Sequence, residues 1–221
     1  MWIKGETKKM KNFLFDFDGT IADSGETAIL AVQEGFKKTG LKAPSARTVR
    51  YYMGVPIEAF FPELAGPDFP EERIEELYDN FRQAYQELEE SSTTLFEGMK
   101  ETLAQLKADG KDLYVVSSKI STSLKRNLDT LGISEYFTDI IGSDQVENYK
   151  PAPDGVNIIV DRHGLDKNET IMIGDAKYDL QMGKAAGVHT CGCAWDTYDI
   201  ELLKKEEPTY LFDKVTDLLT I

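Results

Sequence analysis

Asn12-Phe13-Leu14-Phe15-Asp16-Phe17-Asp18-Gly19-Thr20 joins a short apolar run to two acids and a glycine. Apolar residues on consecutive positions, without in–out alternation, suit a strand covered on both faces, as in a parallel sheet. The acids fall where that strand should stop. In open α/β sheets the ligand crevice lies beyond the carboxyl ends of the strands, so Asp16 is delivered into it.

The same grammar recurs downstream. Strands are expected at residues 12–16, 113–117, 139–142, 170–174 and 188–193, with a sixth at 209–212. Helix-like stretches at 98–109, 121–131, 153–164 and 178–186 separate them, and Gly110, Gly132, Gly164 and Gly187 stand where each helix should end. Alternation of this kind predicts an α/β fold, a doubly wound parallel sheet with helices on both faces.

Residues 23–94 break the rhythm, showing helical patterns and no strand. Ala28, Val32 and Phe36 share one helical face, and Ile74, Leu77, Tyr78, Phe81, Tyr85 and Leu88 mark a long amphipathic helix. Pro62, Gly66, Pro67 and Pro70 interrupt the middle. The division expected is an α/β core of residues 1–22 and 95–221, with an all-helical cap of residues 23–94 inserted after the first strand.

Composition narrows the partners. The 221 residues carry a net charge of −14, with 39 acidic and 25 basic side chains and no basic stripe, so nucleic acid is not an expected partner. No apolar run approaches the roughly 20 residues that span a bilayer, so no membrane is expected either. Residues 1–10 are polar and basic, lack the apolar centre of a secretory signal, and read as a loose extension. Cys191 and Cys193 are one residue apart in an expected strand, a spacing that suits reduced thiols in a cytoplasmic protein better than a disulfide. An acidic protein repels a phosphorylated ligand at long range, so any phosphate site must be made positive locally.

Four elements supply chemistry for such a site. In Asp16-Phe17-Asp18-Gly19, one carboxylate is placed to attack phosphorus and bind a cation. The second is placed to give a proton to a leaving oxygen, and the glycine lets backbone N–H groups approach a phosphate. An Asx–Gly turn explains the same residues without catalysis. Ser117 closes the apolar run Val115-Val116, and its hydroxyl with the Ser118 amide offers phosphate donors; alternatively Ser117 caps the next helix. Lys150 precedes Pro151, which confines it to extended conformations; its ammonium is suited to neutralising a carboxylate and a phosphoryl group, or else is merely solvated. Asp175 ends the strand Ile171-Met172-Ile173-Gly174, and Asp179 follows about one helical turn on, where helix-start acids are common. Carboxylates converging with Asp16 make a hard oxygen site suited to Mg²⁺.

Taken in order, these residues resemble the haloacid-dehalogenase-like superfamily, specifically the branch with a helical cap after the first motif. The family pattern Asp-x-Asp-Gly-Thr-x-x-Asp-Ser matches Asp16 to Ser24 throughout; Ser117, Lys150, Gly174, Asp175 and Asp179 match the remaining motifs. Ala176 stands where relatives commonly carry Ser or Thr. The resemblance implies a Rossmann-like core and a phosphatase working through an aspartyl-phosphate on Asp16. Mg²⁺ is then held by the Asp16 carboxylate, the Asp18 backbone carbonyl and the Asp175 carboxylate, and Asp179 orients Lys150 or a metal-bound water. Members that cleave carbon–halogen bonds lack an acid at the Asp18 position. Those that cleave phosphonates use a cap lysine, and residues 53–58 contain none. The substrate implied is a small phosphorylated metabolite, with phosphoglycolate the leading name, since residues 52–61 resemble caps of the phosphoglycolate phosphatase-like branch. Arg47, Arg50 and Gly54 are the cap positions expected to meet it. A sugar-phosphate mutase, an inorganic pyrophosphatase and a non-catalytic binding protein are the alternatives on the same fold.

Overall fold

The computed structural model describes residues 2–3, 9–197 and 199–221. In chain order the strands are β1 (Trp2–Ile3), β2 (Asn12–Phe15), β3 (Ala22–Asp23), β4 (Thr94–Leu95), β5 (Asp112–Val116), β6 (Asp139–Ile141), β7 (Thr170–Gly174), β8 (His189–Cys193) and β9 (Tyr210–Phe212). The helices are α1 (Gly25–Lys38), α2 (Ala46–Tyr51), α3 (Ile57–Ala65), α4 (Ile74–Ser92), α5 (Met99–Ala108), α6 (Ser121–Thr130), α7 (Asp154–His163), α8 (Lys177–Ala186) and α9 (Ile200–Lys205).

The main sheet has the order β1-β9-β8-β7-β2-β5-β6, parallel from β9 to β6. Phe13 lies opposite both Leu113 and Ile171, and Leu14 opposite Tyr114 and Met172. Strand alternation splits these rows between two cores. Phe13, Phe15, Val115 and Ile173 pack with Leu103 of α5 and Leu124 and Leu128 of α6. Leu14, Val116 and Met172 pack on the other face with Val156 and Ile159 of α7 and Met182 of α8. That is why β2, β5 and β7 read as unbroken apolar runs. Each such side chain contributes about 1.5–3 kcal/mol of burial.

From β2 the chain moves to β5 and β6 on one side, then crosses to β7, β8 and β9 on the other. The reversal places the topological switch point at the carboxyl ends of β2, β5 and β7, where the crevice of such a sheet opens.

Helices α1–α4 surround a separate core of Val32, Phe36, Phe61 and Leu77. At the crossing of α1 and α4, a Cβ on Gly35 would come within 2.9 Å of the Phe81 backbone, so only glycine permits the approach. The two chain segments entering and leaving this region pair antiparallel as β3 and β4, with Ala22 opposite Leu95. This ribbon escaped the sequence reading because two residues are too few to show a period. Helix α9 was missed likewise.

The extension expected over residues 1–10 falls largely outside the described residues. Trp2–Ile3 pairs antiparallel with β9, and Met10 is buried. Cys191 and Cys193 are unbridged and share the core with Phe13 and Phe15. No described helix is long and apolar enough to cross a membrane.

Candidate active site

Asp16 leaves the end of β2, held by its amide donating to the Ile173 carbonyl at 2.8 Å. Asp175 follows directly from β7, the neighbouring strand, and Asp179 stands in the first turn of α8 with one oxygen accepting the Ala176 amide at 3.1 Å. Carboxylate oxygens of Asp16, Asp175 and Asp179 lie within 4.8 Å of one another. Lys150 bridges two of them, its Nζ donating to Asp16 Oδ1 at 2.6 Å and to Asp179 Oδ1 at 2.7 Å.

The electrostatics are lopsided. Three buried carboxylates face one buried ammonium. Burial pushes the Asp16 carboxyl up to about 7, against the pull of Lys150, and burial with the Asp179 and Asp16 charges drives Asp175 well above the carboxylate range. Burial disfavours the Lys150 ammonium, yet Asp16 and Asp179 outweigh it and hold its pKa above the ordinary value. An all-oxygen set with surplus negative charge fits a hard divalent cation.

Gly19 is required by both space and backbone. Its φ is +80°, and an added Cβ would sit 2.5 Å from Asp175 Oδ2. Thr20, next in the turn, donates from Oγ1 to Asp175 Oδ1 at 3.0 Å. The turn's far side is held by Trp195, whose Nε1 donates to the Thr20 carbonyl at 3.1 Å. Thr197 Oγ1 donates to the Asp175 carbonyl at 2.7 Å.

Asp18 points to a different set of partners. Its Oδ1 accepts Ser24 Oγ at 2.6 Å and the Tyr85 hydroxyl at 3.1 Å, and Lys119 Nζ approaches it at 3.4 Å. Lys119 also lies 3.9 Å from the centroid of the Tyr85 ring. Burial opposes its charge, but Asp18 and Tyr85 together raise its pKa. The Tyr85 hydroxyl is pushed up to about 12 by burial and the Asp18 charge, so it stays a donor at neutral pH.

Ser117, at the end of β5, is buried, and its Oγ accepts the Lys119 amide at 3.1 Å. It is not a helix cap: α6 begins at Ser121 after Ile120, and Asp144 takes the Ser121 amide at 2.6 Å. Ser118 Oγ instead donates to the carbonyl of Gly54 at 2.8 Å, tying β5's loop to the α2–α3 loop. Gly54 has a φ of +85°, and a Cβ there would meet the Ala176 Cβ at 2.9 Å. The lack of a side chain at Gly54 thus lets that loop seat against Ala176.

Asp16, Asp18, Ser117, Ser118, Lys119 and Gly54 all border one cavity of about 150 Å³ between the sheet edge and helices α1–α4. Arg47 and Arg50, singled out in the sequence, are exposed and do not line it. On α2 the buried residue is Val49, and Arg50 lies close enough to Asp196 for its charge to act on that carboxyl. The sequence reading gave no site role to Lys119, Tyr85 or Thr197. Tyr85 fell on the amphipathic stripe of α4 and read as core; Lys119 carried only the faint signal of following a strand end.

Residues 13–193 match the family model described as haloacid dehalogenase-like hydrolase, and the chain belongs to that family. It is 30% identical over 214 residues to the pyrophosphatase PpaX of Bacillus velezensis, covering 97% of each chain. It is 30% identical over 227 residues to a phosphoglycolate phosphatase of Vibrio cholerae, again covering 97% of each. Among solved structures, a haloacid dehalogenase-like family hydrolase of Streptococcus pneumoniae superimposes with a TM-score of 0.83 at 25% identity, covering 96% of this chain and 97% of that one. The chain is a phosphatase-type enzyme of this family.

Proposed function

We propose that the protein is a Mg²⁺-dependent phosphatase of small phosphate monoesters, acting through a phosphorylated Asp16 beneath a helical cap of residues 23–94. The observation that carries this reading is the buried cluster of Asp16, Asp175 and Asp179, in which Lys150 bridges Asp16 and Asp179 and Asp16 borders the cavity.

Asp16 attacks phosphorus in line and the bond to the ester oxygen breaks. Asp18 gives the leaving oxygen a proton. It then takes one from the water that attacks the Asp16 phosphoryl group, which releases phosphate and restores the carboxylate. Ser117 and the Ser118 amide bind the phosphoryl oxygens; the Gly19 amide, expected from the sequence to join them, is spent on the Ala22 carbonyl at 2.9 Å. Lys150 neutralises charge on the phosphoryl group and on Asp16. Asp179 keeps Lys150 in place. The Asp16 and Asp175 carboxylates and the Asp18 carbonyl would hold Mg²⁺, which would supply the positive charge a carboxylate needs to approach an anionic phosphoryl group. Ser24, Tyr85 and Lys119 aim the Asp18 carboxylate toward the cavity.

Phosphoglycolate and pyrophosphate, the substrates in the names of relatives, are the first metabolites to assay, alongside p-nitrophenyl phosphate. Phosphate release should require Mg²⁺ and stop with EDTA. Asp16→Asn should abolish release while leaving the thermal unfolding midpoint near that of the wild type. Appreciable turnover by a well-folded Asp16→Asn protein removes Asp16 from the nucleophile's role.

A further inference from the structure

The cavity above Asp16 and Asp18 has a floor and a roof of opposite character. The floor carries the two acids and Ser117. The roof and walls are formed by Val32, Val49, Val55, Ile57, Phe60 and Phe81 from helices α1–α4 and their loops. A leaving group attached to a phosphoryl group on the floor projects into that apolar space.

Charge complementarity decides what it accepts. Among the described residues, each basic side chain that borders the cavity is already engaged within the protein. Arg82 pairs with Glu58 at 3.1 Å and Asp79 at 3.3 Å. Arg126 pairs with the buried Glu89 at 2.5 Å. Lys119 is committed to Asp18 and covered by the Tyr85 ring. Glu58 also borders the space, adding negative charge. A carboxylate or second phosphate on the leaving group would enter without a free cation to meet it, and burying an unpaired charge is costly.

We infer that the preferred substrate is a phosphate monoester whose alcohol part is uncharged and apolar, with Ile57, Phe60 and Phe81 forming the selective wall. The inference rests on the phosphatase reading above and sharpens its substrate class. Asp18 then protonates the departing alkoxide oxygen, so that a neutral alcohol is released into the apolar pocket.

The test compares kcat/KM of the Mg²⁺-loaded enzyme for benzyl phosphate, 2-phosphoglycolate and pyrophosphate, the first two being alkyl esters that differ in the group offered to the wall. Benzyl phosphate should exceed both substrates with a charged leaving group by at least about tenfold, the range that pocket contacts of this size discriminate. Ile57→Lys should depress benzyl phosphate turnover and raise that of 2-phosphoglycolate. Glu58→Gln, which releases Arg82 from one partner without adding bulk, should shift the ratio in the same direction if the lysine variant folds poorly. Equal or better turnover of 2-phosphoglycolate or pyrophosphate by the wild type overturns the inference and leaves the phosphatase reading standing. No phosphate release from any of the three sinks that reading, and the inference with it.

Discussion

Asp16 is 3% exposed, and burial is the largest influence on its proton. Its folded-state value of about 7 lies above that of an unfolded aspartate, near 4. Between those values the folded protein holds a proton that the unfolded chain has lost. Without a cation, stability contributed by this group is therefore present at about pH 4 and lost as the pH rises through 7. A divalent cation competes with that proton. Mg²⁺ should raise the unfolding midpoint more at about pH 7.5 than at about pH 5; equal shifts in a thermal melt at both values would contradict the assignment of the cluster as a cation site. Gly19 tests geometry at the same scale. Gly19→Ala imposes a left-handed backbone on alanine, at a cost of about 1–3 kcal/mol, and drives a methyl group into Asp175. Turnover should fall about a hundredfold, as misplacement of reacting groups by an ångström does, and a kinetic assay at saturating Mg²⁺ reads it.

The strands and helices were legible where their patterns were long. Helix α4 carries its apolar stripe through Leu77, Tyr78 and Tyr85, all buried. Strands β2, β5 and β7 carry residues for two cores at once, and that requirement is what made them unmistakable. The short elements β1, β3, β4 and α9 lie below the length at which a period is visible. The packing of α1 on α4 was hidden for another reason: Gly35 looks like a poor helix residue until Phe81 is seen against it. Gly35→Val should force the helices apart and cost about 1–3 kcal/mol, as overpacking does, measured by urea unfolding. A stability unchanged by that substitution would show that the crossing is looser than its 2.9 Å approach implies.

At the scale of the molecule, polar ties join helix α4 and the α2–α3 loop to the α/β core. Glu89 of α4 is buried and accepts from Arg126 Nε and Asn127 Nδ2, each at 2.7 Å, while Ser118 reaches Gly54. Glu89→Ala leaves the buried Asn127 amide and the Arg126 guanidinium without this partner. It should destabilise the protein by about 1–3 kcal/mol and speed hydrogen exchange at the carboxyl end of α4; exchange that stays as slow as in the wild type would show that the tie is incidental. The sequence by itself determined the sheet, the helical insertion and the order of Asp16, Ser117, Lys150 and Asp175. Those features follow from local periodicity and from where strands end, and both are properties of neighbouring residues. Only the tertiary structure decided that Lys119 and Tyr85 attend Asp18, that Arg47 and Arg50 miss the cavity, and that the wall above the acids is apolar. Those facts depend on which faces of separate helices are turned toward one space, and crossing angles set far apart in the chain leave no local trace.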